Sequence, residues 1–289
     1  MVEFGIYVYD RVQPSAQKWA NEFYNTAKRY RPNSFLEYLH FPLGSPIPAQ
    51  RAIIVGGDGV VRSCIEQWNQ LYIPPVIGIK AAGTSNVLYR ALAESGSVMT
   101  PEEFLTVHCD DFAHYPNFSP GFAGKRLFTN TVSFNQHDGP NRLTNEFIRE
   151  HMPRLRGKDR IRAAYVAGLV VTAMRMKENI PLLNMMLTTP FFGFVRLSPS
   201  QKPFSSELTR VSIEGESRRV MFGKLVKTLL AFNKEQPPPE GILRFERSSE
   251  LTAITNDGQI TLDGDLYPER SKIINLRRSE KLFTIVALN

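Results

Sequence analysis

Apolar and polar residues follow two different rhythms along this chain, and the change between them falls near Pro101. Before it, each short β-rich run is followed by a helical pattern. Phe4 to Tyr9 reads as a strand, Pro14-Ser15 as a turn, and Ala16 to about Tyr30 as a helix with Trp19, Phe23 and Ala27 on its apolar face. After the prolines at Pro42, Pro46 and Pro48, the apolar run Ala52 to Val55 predicts a second strand, and the pattern through Ile65 and Trp68 a second helix. Pro74-Pro75 introduces a third strand, Val76 to Ile79, then a glycine-containing turn and a helix from Asn86 to Ala93. Strands alternating with helices predict a parallel sheet, because parallel neighbours need a crossover connection.

Beyond Pro101 the runs Leu127 to Phe134, Arg210 to Ile213, Ile242 to Arg247 and Gln259 to Leu262 lack that regular alternation with helices. They predict an antiparallel β domain. One long helical region, roughly Lys158 to Lys177, separates the first two runs, and Val220 to Phe232 has helical character as well. The predicted fold is an N-terminal α/β domain with a parallel sheet, residues 1–115, and a C-terminal antiparallel β-sandwich domain, residues 116–289. The last residues are open to a return to the first domain.

Composition narrows the class. The 289 residues are 42% hydrophobic and 22% charged, an ordinary globular balance that suits two domains of roughly 100–200 residues each. The two cysteines, Cys64 and Cys109, form no CxxC spacing and no zinc set, so reduced thiols are expected. Met1-Val2-Glu3-Phe4 lacks the basic and apolar run of a signal peptide. The longest apolar segment, Ala163 to Ala173, is hemmed by Arg160, Arg162, Arg175 and Lys177 and falls short of the roughly 20 residues a bilayer span needs. A cytoplasmic location with at most peripheral membrane contact is expected. The net charge of +7 favours anionic partners such as phosphates or an anionic membrane surface. Lys and Arg are scattered rather than interleaved with stacking aromatics, which argues against nucleic acid. Self-association into a homodimer is left open.

Candidate chemistry concentrates at two strand-to-helix turns. Ile53-Ile54-Val55 runs straight into Gly56-Gly57-Asp58-Gly59, where glycines let backbone N–H groups approach a phosphate and the helix N-terminus adds favourable partial charge. A carboxylate beside a triphosphate is repelled unless it holds a metal ion, so Asp58 reads either as a magnesium ligand or as a helix cap. After the next strand, Gly83-Thr84-Ser85-Asn86 supplies small and polar residues that can meet phosphate oxygens. Two such turns at the ends of successive strands lie where open α/β sheets bind ligands. The five histidines, His40, His108, His114, His137 and His151, show neither metal-ligand spacing nor a nucleophile elbow. Met185, Met186, Phe191, Phe192 and Phe194 read as core, with a lipid pocket as the alternative.

These residues resemble the catalytic domain of the diacylglycerol kinase and bacterial lipid kinase family. Gly56 to Gly59 is similar to its GGDGT signature, and Gly83-Thr84-Ser85-Asn86 with Arg90 to its PxGTxND…AR block. Phe128 to Phe134 resembles the FxNxxSxG strand, and Leu262-Asp263-Gly264-Asp265 the DGE motif. The resemblance implies an ATP-dependent lipid kinase using Mg²⁺. Gly56, Gly57, Asp58 and Gly59 would cradle the nucleotide and its magnesium, and Gly83, Thr84 and Asn86 would contact phosphates. Asp265 would be the general base for the lipid hydroxyl, and Asp110 or Asp111 a further metal carboxylate. Val60, Ala81 and Val87 depart from the family pattern, which keeps open a catalytically reduced lipid- or nucleotide-binding relative. NAD kinase, which shares the GGDG element, is the third reading, with Asn145-Glu146 as its superficial NE pair.

Overall fold

The computed structural model describes residues 2–40, 46–71, 73–83, 86–115, 117–134, 147–155, 159–160, 163–164, 167, 184–192, 195–197, 205–215, 217–234, 236–255, 259–263, 265–269 and 271–289. The expected helix from Lys158 to Lys177 lies largely outside them, as do Thr84, Ser85, His137 and the Asn145-Glu146 pair.

The chain divides into two compact units. The first comprises Met1–Pro120 with the terminal Ser279–Asn289. Its sheet holds β1 (Val2–Tyr9), β2 (Ser34–Leu39), β3 (Ala49–Gly56), β4 (Val76–Ala81), β5 (Val98–Met99) and the chain's last strand, β19 (Phe283–Leu288). The order is β2-β1-β3-β4-β19-β5 with every one of these pairs parallel, and the short β6 (Asn117–Phe118) joins β19 antiparallel.

Alternation along β1 sorts its side chains between two helical layers. Phe4, Ile6 and Val8 pack with Ala20, Phe23 and Ala27 of α1 (Pro14–Tyr30). Tyr7 faces the other way, its ring 5.1 Å from that of Trp68, the last residue of α2 (Asp58–Trp68). Burial pushes the Tyr7 hydroxyl and the Cys64 thiol upward, so both are protonated core groups and Cys64 is an inert free thiol. The helices α3 (Val87–Glu94) and α4 (Pro101–Thr106) complete the unit. A Thr100–Glu103 capping box starts α4, and the backbone and hydroxyl of Thr100 hold the Glu103 carboxyl below its usual range. No helix among the described residues is long and apolar enough to cross a membrane.

The second unit, Gly121–Gln201 with Ser205–Arg278, is antiparallel throughout its sheets. One four-stranded sheet is formed by β7 (Gly121–Ala123), β8 (Arg126–Phe128), β15 (Glu250–Ile254) and β18 (Ile273–Arg278), ordered β15-β18-β7-β8. A six-stranded sheet runs β14-β13-β10-β9-β16-β17, from β9 (Thr131–Phe134), β10 (Asn184–Leu187), β13 (Leu208–Ser212), β14 (Arg244–Ser248), β16 (Gln259–Leu262) and β17 (Asp265–Pro268). A hairpin of β11 (Phe191–Phe192) and β12 (Val195–Arg196) and the helix α5 (Arg218–Asn233) stand beside them. Phe128, Val132, Phe134, Met186, Leu208, Ile260, Leu262, Ile274 and Leu276 form the core. The single run expected from Leu127 to Phe134 is two strands, because Thr129-Asn130 turns between β8 and β9. Met185 and Met186 are buried in sheet cores, the first of the two readings open for them.

Candidate functional site

In a parallel sheet the carboxyl ends of the strands and the amino ends of the following helices share one edge. Here α1 starts there after β1, α2 after β3 and α3 after β4. β1 lies between β2 and β3, so the winding of the sheet reverses at it, and such a reversal leaves a crevice where open α/β sheets take ligands.

The β3 and β4 turns sit side by side because the strands pair in register to their ends, Gly56 opposite Ala81. The Ala82 N–H extends that ladder by donating to Gly56 O at 3.1 Å. Beyond it, the backbones of Gly57 and Gly83 touch. A Cβ on Gly83 would collide with the Cα of Gly57, and one on Gly57 would come within 3.2 Å of the Cα of Gly83. Glycine is required at Gly83 for this approach, and at Gly57 a side chain would be a tight fit.

Two polar side chains then lock the turns. Asn86 adopts the left-handed conformation, φ 47°, and its carboxamide closes a loop on Gly83. The Gly83 N–H donates to Asn86 Oδ1 at 2.9 Å, and Asn86 Nδ2 donates to Gly83 O at 2.6 Å. Asp58 reaches across from the other turn. Its Oδ2 accepts the Val87 N–H at 2.8 Å and its Oδ1 the Leu88 N–H at 3.0 Å, so the carboxylate of the first turn caps the helix of the second. Of the two roles open for Asp58, the capping one is thus present, and the helix it caps is α3 rather than its own α2. Among the described residues no side chain caps α2, whose N-cap is Gly57. The first N–H groups of α2 are thus not taken by any described side chain, and a helix amino end in that state suits an anion.

Lys80, one residue before the end of β4, places its ammonium 5.1 Å from the Trp19 ring centroid. Partial burial lowers its pKa, with the Glu102 charge working the other way. A cation on this strand, two residues before the Ala82-Gly83 turn, suits a phosphate ligand, and the sequence motif had not singled it out.

The geometry makes the Gly83 position testable. Gly83→Ala is expected to destabilise the first unit by about 1–3 kcal/mol, because the added methyl meets backbone rather than a movable side chain. Urea denaturation checks it, and a wild-type midpoint would show that the two turns separate freely.

The structure thus brings together Gly56, Gly57, Asp58, Gly59, Gly83 and Asn86, while Thr84 lies outside the described residues. Asp110 falls in a 3₁₀ turn, Cys109–His114, in which Asp111 Oδ2 accepts the His108 N–H at 3.1 Å. Among the described residues no three His, Cys, Asp or Glu side chains gather as a metal site. His40 pairs with Asp10 at 2.8 Å and His151 stacks on Phe147, structural roles for both.

In the second unit Asp265 opens β17, which pairs antiparallel with β16, and Asp263 lies just past the end of β16. Asp263, at φ 50°, is the anchor of the turn there. Its carboxylate accepts the N–H groups of Thr129, Asn130 and Thr131 and the Thr129 hydroxyl at 2.7–2.9 Å, and its own N–H donates to Thr131 O. The Thr188 hydroxyl donates to Thr129 O from the neighbouring strand. Asn130 is 2% exposed, and among the described residues neither atom of its carboxamide has a hydrogen-bond partner. A buried amide left in that state costs about 1–3 kcal/mol and asks for an explanation. Asn130 sits in the FxNxxSxG-like strand, but only the fold shows that its carboxamide has no partner among the described residues.

Solved structures share this arrangement of elements. A diacylglycerol kinase from Bacillus anthracis superposes with a TM-score of 0.59 at 13% identity, over 99% of this chain and 96% of that one. This chain has its fold. Two further structures from the same organism, each of a protein assigned as a diacylglycerol kinase, superpose with TM-scores of 0.63 and 0.60 at 14% identity. They cover 99% and 100% of this chain and 97% of their own. No family model and no curated protein matches the sequence. At such identities the shared property is the fold, an N-terminal parallel α/β domain followed by antiparallel sheets.

Proposed function

We propose that the protein is a kinase that transfers the terminal phosphoryl group of ATP to the hydroxyl of a diacylglycerol-like or other long-chain lipid. The contact of Gly57 with Gly83 carries this reading, because it joins two glycine turns at the carboxyl ends of adjacent parallel strands beside a helix that no described side chain caps. That combination suits a chain of phosphates, which needs close backbone approach and N–H donors rather than a deep apolar pocket. The resemblance of Gly56–Gly59, Gly83–Asn86 and the Asp263-Gly264-Asp265 turn to the lipid kinase motifs, and the fold shared with diacylglycerol kinases, point the same way.

In this reading Gly57 and Gly59 at the start of α2 hold phosphate oxygens, while Asp58 and Asn86 keep the two turns in register. Asp58 and Asp110 are the carboxylates that would hold magnesium together with the phosphates and waters, since Mg²⁺ usually binds through one or two carboxylates plus substrate phosphates. When bound it would neutralise charge on the transferring group. Asp265 accepts the proton of the lipid hydroxyl as the hydroxyl oxygen bonds to the terminal phosphorus and ADP departs.

A second reading, a nucleotide-binding relative that does not transfer, is favoured by Val60. This residue replaces the threonine of the resembled motif and is buried against Gly56, turned into the core. One assay separates the readings: labelled ATP with Mg²⁺ against diacylglycerol, a sphingoid base and NAD, alongside thermal melting with ATP. Labelled lipid phosphate is the expected result. Stabilisation by ATP without transfer to any lipid supports the second reading, and label on NAD supports NAD kinase instead.

A further inference from the structure

The helix α5 has two apolar faces, and among the described residues one is buried and the other exposed. Met221 and Leu225 are buried against Met185, Leu187, Val211 and Ile213. Phe222, Val226 and Leu230 recur every four residues, which places them in one row on another face, and they are 51%, 39% and 59% exposed. Val220, 47% exposed, lies farther round the same open side. A surface helix ordinarily shows one apolar stripe and a polar remainder. Scattered exposed apolar residues need no account, but a continuous row marks a contact surface.

Charge identifies the partner. From Arg218 to Lys234 the sequence contains Arg218, Arg219, Lys224, Lys227 and Lys234 and no Asp or Glu. Lys227 is exposed on the open side, whereas Lys224 turns back to donate to Glu214 O at 2.8 Å. Among the described side chains Lys227 and Lys234 are exposed cations, so the apolar ridge has positive charge beside it. A second copy of this chain fits poorly, since a two-fold contact would set basic helix against basic helix. An anionic bilayer supplies both complements, with lipid phosphates for the lysines and an acyl boundary for the ridge. Sixteen residues with basic flanks lie in such an interface without spanning it.

We propose that α5 docks the protein on anionic membrane surfaces, with Phe222, Val226 and Leu230 entering the headgroup boundary and Lys227 facing lipid phosphates. This concerns where the protein works rather than what it transfers, and its test involves no turnover, so it stands or falls apart from the kinase reading.

The test is co-sedimentation of the full chain with vesicles of phosphatidylcholine alone and of phosphatidylcholine with equal phosphatidylglycerol. Wild type is expected to bind the mixed vesicles at least about tenfold more tightly than the neutral ones, as a few lysines near an anionic surface imply. The triple variant Phe222→Ser, Val226→Ser, Leu230→Ser should lose about tenfold or more of that binding while keeping its far-UV spectrum. Lys227→Glu, a single exposed change that guards against misfolding of the triple variant, should lose about tenfold at low salt. Equal binding to both vesicle types, or wild-type binding by both variants, overturns the proposal. So does a lipid-free dimer in sedimentation velocity that the triple variant converts to monomer, since the ridge would then serve self-association.

Discussion

Replacing Asp263 with alanine is expected to lower stability by about 3–4 kcal/mol, among the largest effects a single substitution should have in this protein. Its carboxylate receives four hydrogen bonds from Thr129, Asn130 and Thr131, and Thr129 and Asn130 are buried. Alanine leaves those donors without an acceptor. Each would cost about 1–3 kcal/mol alone, and the total is less than their sum because water can enter the space vacated. The backbone adds a smaller penalty, since φ 50° suits Asp or Asn far better than Ala. Asp263→Asn keeps one acceptor oxygen and the tolerated conformation, so about half the loss is expected. Urea denaturation measures both, and a loss below about 1 kcal/mol for alanine would show that the turn does not depend on the carboxylate.

Two residues on, Asp265→Ala is expected to do the opposite: turnover falls by about 10²–10⁴ while stability changes by less than about 1 kcal/mol. Asp265 is placed at the first position of β17 by the turn that Asp263 holds. Its proposed work is proton acceptance, which alanine cannot perform. ATP should still raise the melting temperature of this variant, because the glycine turns proposed to bind its phosphates belong to the first unit. Initial rates at saturating ATP and lipid, read with melting curves, check the pair. An Asp265→Ala enzyme with wild-type rates would remove this residue from the mechanism and leave the fold account untouched.

Much of the first unit was legible because its signals are local. An apolar strand, a glycine turn and a helical pattern occupy some twenty consecutive residues, and β3 with α2 and β4 with α3 follow that plan closely. The edge strand β2 was not anticipated, since Ser34–Leu39 has only partial burial along its middle and no clean two-residue alternation. In the second unit the turn at Thr129-Asn130 was hidden inside an apolar run, because what bends it is Asp263, more than 130 residues later.

The candidate site divides along the same line. Sequence alone determined that glycines follow two strands, that Asp58 and Asn86 lie among them, and that an acidic turn closes the chain's later half. Only the tertiary structure decided what those groups do. Asp58 caps α3 from 29 positions earlier in the chain, Asn86 clasps Gly83 rather than its own helix, and β19 enters the first sheet between β4 and β5. The physical reason is range. Periodicity and turn chemistry are set by neighbours in the chain, whereas a carboxylate bonds whichever N–H groups packing brings within about 3 Å, and nothing in the residues beside it names them.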